Sequence, residues 1–215
     1  MKDLKISTVQ FENKSGDKEY NLKMIDEFCA KATSEGSDII SFHECSITGY
    51  TFARNLSKEQ MLEIAEFIPD GPSVKRLTKI AAQYKITVLA GLFEKDKDDK
   101  IYKAYVCVNE KGLVANHRKL HPFINPHISP GNSYTIFDLH GWTCGILICY
   151  DNNIIENVRA TNLLGADIIF MPHVTMCTPS TRPGAGFIDP ELWKNRHHDP
   201  TSLRKEFDGL KGREW

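Results

Sequence analysis

The sequence predicts a layered α/β fold, because segments with the patterns of strands and of helices alternate along the chain. Residues 4–11 (LKISTVQF) are rich in β-branched side chains, which favour a strand, whereas residues 20–34 repeat apolar side chains at helical spacing. Two later segments, GILIC and DIIFM, are apolar without interruption. Strands of that kind lie in sheets covered on both faces, so helices are expected on either side of the sheets.

The remaining elements follow in an order typical of this class. Gly36 ends the first helix, and residues 38–42 (DIISF) form a short buried strand that completes a βαβ unit. Residues 95–100 (KDKDDK) form a charged turn between two later strands. The other predicted elements are, in chain order, a helix at 73–84, strands at 86–93, 102–109, 113–117, 134–139 and 143–148, a helix at about 153–164, and a strand at 167–171.

Length, charge and composition indicate one globular domain over residues 1–215. The chain has 215 residues, of which 41% are hydrophobic, and 27 Lys and Arg residues against 28 Asp and Glu residues, which gives a formal net charge of −1. This balance gives no reason to expect nucleic acid or an anionic membrane as a partner. No apolar run approaches the roughly 20 residues that span a bilayer, and the first residues lack a secretory signal, so we expect a soluble cytoplasmic protein.

Six cysteines are present, but a chain of this length can bury a core without a disulfide scaffold. We therefore expect most of these cysteines to be free thiols. The sequence contains no CxxC pair, and His117 and His121 lie beside a predicted strand end rather than on a helix with a glutamate between them. We accordingly expect no metal.

Three reactive side chains follow predicted buried strands, where open α/β sheets present their ligands. Glu44 follows DIISF, Lys119 follows strand 113–117, and Cys149 ends the segment GILIC. Each residue alone also has an ordinary structural interpretation, as a solvated acid, a surface cation or an inert buried thiol. Together they can perform nucleophilic chemistry, because a helix end favours a thiolate, an acid can take the thiol proton, and an ammonium can stabilise an oxyanion.

At these positions the sequence resembles the nitrilase superfamily of carbon–nitrogen hydrolases. Members of that family bring together a Glu, a Lys and a Cys in this chain order, each after a strand of an αββα sandwich. The matching segments are FHECSITGY around the glutamate, HRKLH around the lysine and GILICYDNNIIENVR around the cysteine. The resemblance extends from Ile6 to about Met171 and implies a four-layer αββα fold.

The resemblance implies a role for each of the three residues. Cys149 is the expected nucleophile, Glu44 the general base that later activates water, and Lys119 the stabiliser of the tetrahedral intermediate. The implied reaction is hydrolysis of a non-peptide C–N bond, in a small amide or carbamoyl amide, through a thioester. The sequence CYD at the nucleophile is similar to that of the amidase and N-carbamoyl amino acid amidohydrolase branches.

Further expectations follow from the same resemblance. The substrate pocket is expected to include Tyr50, His121 and His173, each of which also has an ordinary structural interpretation, such as core packing for Tyr50. The backbone N–H of Tyr150 is the expected second oxyanion donor. No cofactor is implied, and family members commonly pair, which predicts a homodimer or a larger homo-oligomer.

The sequence departs from the family pattern in two places. Many members have a second glutamate after the lysine, which helps to orient the substrate, whereas HPFINPHISPGN contains none. The chain also stops at KGREW, earlier than most members, which predicts that the C-terminal part of the αββα fold is absent. Residues 172–200 are expected to form a functional surface loop anchored by Phe187, Leu192 and Trp193, with residues 177–190 setting substrate specificity.

Three other functions stay open at this point. An enzyme of the same fold can transfer the acyl group to an acceptor other than water, and the sequence does not distinguish this reaction from hydrolysis. A catalytically silent binding or assembly module is compatible with the missing glutamate and the early end of the chain. A redox pair of Cys144 and Cys149 is disfavoured, because residues five apart lie on opposite faces of a continuous strand.

Overall fold

A computed structural model describes residues 3–174 and, beyond them, Glu191, Lys194, Asn195 and His198. The residues up to Val174 make up one structural unit. In the later part of the chain, Lys194 Nζ lies 2.6 Å from Glu191 Oε1, three residues earlier in the same helical turn. Outside the described residues lie the predicted specificity loop and the three predicted loop anchors: residues 177–190, Phe187, Leu192 and Trp193.

Two β-sheets form the centre of the unit that ends at Val174. The strands of the first sheet are β1 (Ile6–Val9), β2 (Ile39–Phe42), β3 (Thr87–Lys95), β4 (Ile101–Asn109) and β5 (Gly112–Arg118), and those of the second are β6 (Thr135–Leu139), β7 (Trp142–Ile146) and β8 (Ile168–Phe170). The spatial order follows the chain order in both sheets. Pairing is parallel for β1–β2, β2–β3 and β7–β8, and antiparallel for β3–β4, β4–β5 and β6–β7.

Helices connect these strands, and two of them begin with a side-chain cap. The α-helices in the described residues are α1 (Lys18–Ser34), α2 (Lys58–Ile64), α3 (Pro72–Tyr84) and α4 (Ile155–Leu163), and short 3-10 helices span Thr51–Asn55 and Cys149–Asn153. Asp17 caps α1, because its carboxylate accepts a hydrogen bond from the Tyr20 N–H. None of the helices that the structure describes is long and apolar enough to cross a membrane.

The central strands of the first sheet, β3 and β4, bury both of their faces. On one face, side chains such as Val88 pack against the apolar sides of α1 and α3. On the other face, side chains such as Leu89 pack against the second sheet, where they meet Cys144 and Ile146. Successive residues of one strand thus belong to two different layers, as the alternation of side chains in a strand requires.

Helix α4 covers the outer face of the second sheet at Gly145. A Cβ atom at this position of β7 would lie 2.5 Å from Thr161 Cγ2 in α4, so no side chain fits between the strand and the helix. The layers therefore follow the order helix, sheet, sheet, helix. This order agrees with the αββα arrangement that the resemblance implied.

Each predicted element up to residue 171 is present, with ends that differ from the prediction by no more than two residues. The sequence analysis missed α2 and both 3-10 helices. A signal for α2 was visible, because Ser57 and Gln60 form a capping box in which each side chain accepts a hydrogen bond from the other residue's N–H. The 3-10 helices carry no comparable periodicity, since each is only five residues long.

The cysteines of residues 3–174 are buried free thiols: Cys29, Cys45, Cys107, Cys144 and Cys149. Burial raises the pKa of Cys29 to about 12, and the nearby Asp26 carboxylate adds to this shift. Burial also raises the pKa of Cys107. Thiols with such pKa values stay protonated at neutral pH and pack as small apolar side chains.

Candidate active site

Glu44 lies in a turn that follows β2 and packs closely on β3. Its side chain is buried, with 1% of its surface exposed. The next residue, Cys45, has a φ of 52°, in a left-handed region that residues with side chains rarely adopt. The turn meets β3 at Gly91, where a Cβ atom would lie 2.4 Å from Cys45 N, and the Ile47 N–H donates to the Gly91 carbonyl. The absence of a side chain at Gly91 therefore allows the turn to place the Glu44 carboxyl group against the sheet.

Lys119 and Lys103 lie side by side on neighbouring strands. Lys119 directly follows β5, and its N–H donates to the carbonyl oxygen of Lys103 in β4, with an N–O distance of 2.8 Å. Lys119 Nζ donates to Glu44 Oε1 at 2.7 Å, and Lys103 Nζ lies 3.6 Å from the same oxygen. One carboxylate oxygen therefore faces two ammonium groups, both of which are buried.

Burial makes these charges depend on one another. The pKa of Lys103 is lowered, mainly because burial disfavours the charged ammonium, while the Cys45 thiol and the Glu44 carboxylate oppose this shift. Removing one member of a buried ion pair leaves the other charge uncompensated, which is strongly destabilising. We therefore treat Glu44, Lys103 and Lys119 as one charged cluster.

Cys149 begins the 3-10 helix that follows β7. Its φ of 51° is again in the left-handed region, and its N–H donates to the Pro172 carbonyl at 2.9 Å. The sulfur lies 3.8 Å from the Val174 carbonyl oxygen. Burial raises the pKa of the thiol, the Glu44 carboxylate raises it further, and the Lys119 ammonium lowers it. The thiol thus shares one electrostatic environment with the two residues that the sequence analysis paired with it.

The second oxygen of Glu44 is available as a base. Both lysines face Oε1, whereas Oε2 is buried and accepts no hydrogen bond from the residues that the structure describes. Such an atom is unusual, because most buried polar groups have a hydrogen-bond partner. Since the Cys149 thiol responds to the charge of this carboxylate, Oε2 is suited to accept the thiol proton.

Asp151 joins the segment after β5 to the turn after β7. Its carboxylate accepts hydrogen bonds from the N–H groups of Leu120, His121 and Ile148, at 3.1, 2.8 and 3.2 Å. His117 Nε2 lies 3.8 Å from the same carboxylate. Burial raises the pKa of Asp151, but the imidazole of His117 and the backbone N–H groups outweigh burial and hold the pKa below its ordinary value. Asp151 therefore fixes the spacing between the lysine-bearing and the cysteine-bearing segments.

Three aromatic rings pack against one another beside the charged cluster, two of them exposed at the surface. The centroid of the Tyr50 ring lies 4.1 Å from Lys103 Nζ, and that of Phe123 lies 5.0 Å from Nζ of both lysines. Phe123 packs edge-on against Tyr50 and Tyr150, with ring centroids 6.4 and 6.1 Å apart. Tyr50 is buried, whereas Phe123 and Tyr150 are exposed. We call these three rings the aromatic wall.

The predicted substrate-binding residues therefore have different surroundings. Tyr50 and Tyr150 belong to the aromatic wall, beside the charged cluster. His121 is exposed and contributes its backbone N–H to the site through Asp151. His173 is exposed, and Asn152 Nδ2 donates to its Nε2 at 2.6 Å. Contact of any of these side chains with a substrate stays a prediction.

Two concave regions border this part of the molecule. A cavity of about 150 Å³ is lined in part by His43, Tyr50 and Val174. A groove of about 530 Å³ lies between β1, β2 and β8 and is lined in part by His43 and His173, but not by the three predicted catalytic residues. Within the described residues, no group of three or more His, Cys, Asp or Glu side chains is arranged to hold a metal ion.

The sequence analysis missed three residues of this site. Lys103 had a visible signal, since it is a lysine inside the apolar segment IYKAYV. Asp151 was noted only as part of the CYD sequence, and nothing in that sequence shows which N–H groups its carboxylate binds. Phe123 lies in a loop without periodicity, so only tertiary contacts place it over the two lysines.

Comparisons with known proteins identify the family. A family model described as carbon-nitrogen hydrolase matches residues 5–186. A nitrilase of Pyrococcus abyssi is 30% identical over 172 residues, which cover 79% of this chain and 64% of that protein. An (R)-stereoselective amidase of a Pseudomonas species is 30% identical over 176 residues, which cover 80% of this chain and 61% of that protein. The chain thus spans less than two thirds of the length of these relatives.

Solved structures agree with this result. Nit3 of Saccharomyces cerevisiae, a member of branch 10 of the nitrilase superfamily, superposes with a TM-score of 0.69 at 30% identity, covering 79% of this chain and 64% of that chain. An amidase from Nesterenkonia sp. superposes with a TM-score of 0.67 at 20% identity, covering 83% and 67%, and this likeness shows the fold alone. The predicted family is therefore confirmed, and the chain belongs to the carbon–nitrogen hydrolases of the nitrilase superfamily.

Proposed function

We propose that the protein hydrolyses the C–N bond of a small, non-peptide amide, with Cys149 as nucleophile, Glu44 as general base and Lys119 as oxyanion stabiliser. The observation that carries this proposal is the state of Glu44. One of its oxygens accepts a hydrogen bond from Lys119 at 2.7 Å, while the other is buried without a hydrogen bond from the described residues. The charge of this carboxylate raises the pKa of the Cys149 thiol.

In the first half of the reaction, Glu44 Oε2 takes the proton of the Cys149 thiol as the sulfur attacks the carbonyl carbon. The electron pair of the C=O bond moves to oxygen, where the Lys119 ammonium and the Tyr150 N–H stabilise the negative charge. Collapse of this intermediate breaks the C–N bond. The leaving nitrogen takes the proton from Glu44 and departs as ammonia or an amine, which leaves a thioester on Cys149.

In the second half, water replaces the departed amine. Glu44 takes a proton from the water as its oxygen attacks the thioester carbon, and Lys119 again stabilises the oxyanion. Collapse breaks the C–S bond, and the proton on Glu44 returns to the sulfur. The carboxylic acid leaves, and the enzyme regains its starting protonation state.

The family relatives and the sequence at the nucleophile support an amide or a carbamoyl amide as substrate. The relatives include proteins named (R)-stereoselective amidase and 2-oxoglutaramate amidase, the latter from Bacillus subtilis at 30% identity. Transfer of the acyl group to another acceptor would use the same first half-reaction. If the protein were instead a catalytically silent binding module, the Glu44–Lys119 pair would have no catalytic role.

Further parts of the proposal concern location and assembly. We place the protein in the cytoplasm, acting on a small molecule without nucleic acid or a membrane, as a homodimer or larger homo-oligomer. Exposure of Ile155, Leu163 and Leu164, at 70%, 72% and 56%, supports self-association through the α4 layer, because large apolar side chains exposed along one element often mark an interface. Light scattering of the full chain should give the mass of at least two copies, and the mass of one copy would contradict this part.

Ammonia release from aliphatic amides and carbamoyl amino acids tests the central proposal. The wild-type chain should release ammonia from at least one of them, and Cys149→Ala should abolish that release. Cys144→Ala is the matched control, because it removes a buried thiol from β7 without touching the charged cluster, and it should retain activity. Turnover that survives Cys149→Ala would exclude the thiol mechanism, and mass spectrometry of the quenched wild-type reaction should detect the acyl adduct on Cys149.

A further inference from the structure

Unpartnered polar atoms gather around Glu44. Among the described residues, the buried side-chain atoms without a hydrogen bond include four in this neighbourhood: His43 Nε2, Glu44 Oε2, Tyr50 Oη and Lys103 Nζ. The proposed mechanism explains Glu44 Oε2, but it gives no task to Lys103. An ammonium has three N–H donors, and burying it without acceptors is costly, so an acceptor from a bound molecule would complete this group.

With Lys103 protonated, the site has one more positive than negative charge at every step of the proposed reaction. At rest, Glu44 and Lys119 balance each other. When Glu44 takes the thiol proton it becomes neutral, but the oxyanion then balances Lys119, so the pair of opposite charges is maintained at every step. When protonated, Lys103 adds one positive charge that neither state balances, and burial lowers its pKa accordingly. The Asp151 carboxylate binds three backbone N–H groups instead.

The surroundings of Lys103 separate its task from that of Lys119. The Lys119 ammonium donates to Glu44 Oε1 at 2.7 Å and lowers the pKa of the Cys149 thiol, so the proposed mechanism gives the oxyanion to Lys119. Lys103 instead lies against the Tyr50 ring, at 4.1 Å from its centroid, whereas Phe123 lies 5.0 Å from both lysines. The aromatic wall therefore offers an apolar surface for substrate carbon atoms next to an ammonium with free donors.

We infer that Lys103 binds a carboxylate of the substrate, so that the preferred substrates are amides or carbamoyl compounds that carry this group within a few bonds of the scissile C–N bond. This inference rests on the proposed function and adds its substrate class. The substrate carboxylate supplies the negative charge that the site lacks, and the Tyr50 hydroxyl, buried in the same wall, is a second donor for it. A neutral amide of equal length leaves Lys103 without an acceptor.

Three substrates and one substitution test the inference. Succinamate carries a carboxylate on the acyl side, N-carbamoylglycine carries it on the amine side, and butyramide has a methyl group where succinamate has the carboxylate. Lys103→Met should lower kcat/KM about 10- to 150-fold for the carboxylate substrate that the enzyme prefers, mostly through KM, as expected for a hydrogen bond to a charged group. Because Lys103 Nζ lies 3.6 Å from Glu44 Oε1, turnover of butyramide should also fall, but by at least about 10-fold less than that of the carboxylate substrate.

Matched variants control for folding and for charge. Lys100→Met removes an exposed lysine from the turn before the same strand and should leave both substrate classes unchanged. Lys103→Arg should retain the preference for a carboxylate, and Lys103→Gln serves if the methionine variant does not fold. An equal loss on all three substrates, or no loss on any, would overturn the inference, and the first result would make Lys103 part of the catalytic machinery.

A binding measurement separates this inference from the proposed function. Calorimetry with Cys149→Ala should detect binding of succinamate or N-carbamoylglycine, and adding Lys103→Met should weaken it about 10-fold or more. If the wild-type chain releases no ammonia but this Lys103-dependent binding is present, the proposed hydrolysis fails and the anion site stands. If hydrolysis occurs but binding does not depend on Lys103, the anion site fails alone. Absence of binding and turnover overturns both.

Discussion

The two sheets contribute different parts of the candidate active site. The first sheet carries Glu44, Lys103 and Lys119, and its central strands β3 and β4 are buried along almost their whole length. Cys149 instead follows β7 of the second sheet, whose strands have three to five residues and whose covering helix leaves apolar side chains exposed. The charges that shift the pKa of the Cys149 thiol are thus held in the better-covered layer.

This difference indicates where the precision of the site originates. The charged cluster is fixed by direct pairing of neighbouring strands, so its geometry belongs to one sheet. The position of the sulfur depends on how the second sheet packs on the first and on Asp151, which binds backbone of both segments. Substitutions can therefore disable the charged cluster, the Cys149 thiol or the Asp151 link between them, and a different measurement detects each loss.

The largest expected effect comes from the charged half. Glu44→Gln removes the base and should lower ammonia release about 100- to 10,000-fold, the usual range for loss of a general base. The same substitution should lower the pKa of the Cys149 thiol, because the Glu44 carboxylate raises it, so alkylation by iodoacetamide at neutral pH should become faster. Glu110→Gln, on the exposed turn between β4 and β5, is the control. Normal turnover in Glu44→Gln would exclude Glu44 as the base.

A smaller loss is expected at Lys119. Lys119→Met should lower kcat about 100-fold or more with a lesser change in KM, because one oxyanion donor acts mainly in the transition state. It should also raise the pKa of the Cys149 thiol, the opposite of the Glu44 substitution, since the ammonium lowers that pKa. The pH dependence of alkylation measures this shift. Equal alkylation profiles for both variants would show that the pKa of the Cys149 thiol does not depend on the charges of the first sheet.

The link between the sheets should show the smallest effect, in stability. Asp151→Asn should lower the free energy of unfolding by about 1–3 kcal/mol at neutral pH, because buried N–H groups lose a charged acceptor. The pKa of Asp151 is lowered in the folded chain, so its contribution is present above the unfolded pKa of about 3.9 and is lost as the pH falls through the folded value.

Urea unfolding at pH of about 7 and of about 3 tests this prediction, because the two conditions lie on either side of the ordinary aspartate pKa. The difference between wild type and Asp151→Asn should shrink at the lower pH. Asp98→Asn, which changes an exposed carboxylate in the turn between β3 and β4, should show no such difference. A difference of the same size at both pH values would mean that Asp151 acts through packing rather than through its charge.

The sequence was sufficient for the parts that depend on local pattern. Uninterrupted apolar segments identified the buried strands, and reactive side chains directly after them identified Glu44, Lys119 and Cys149 as candidates. The sequence was not sufficient for Lys103, because a lysine in a strand gains its meaning only when pairing places it beside Lys119 and Glu44. Phe123 belongs to the same class, since its contacts come from distant parts of the chain.

The absence of a side chain at position 91 has a consequence for how this protein can change. With a methyl group there, the backbone of the neighbouring turn would have to retreat from the strand, because the clash is with a peptide nitrogen rather than with a flexible side chain. That movement would shift the Glu44 carboxyl group away from the Lys119 ammonium and weaken the ion pair on which the proposed proton transfer depends. A saturation library at this codon, selected for amide cleavage, should therefore return glycine alone, although the residue itself has no functional group.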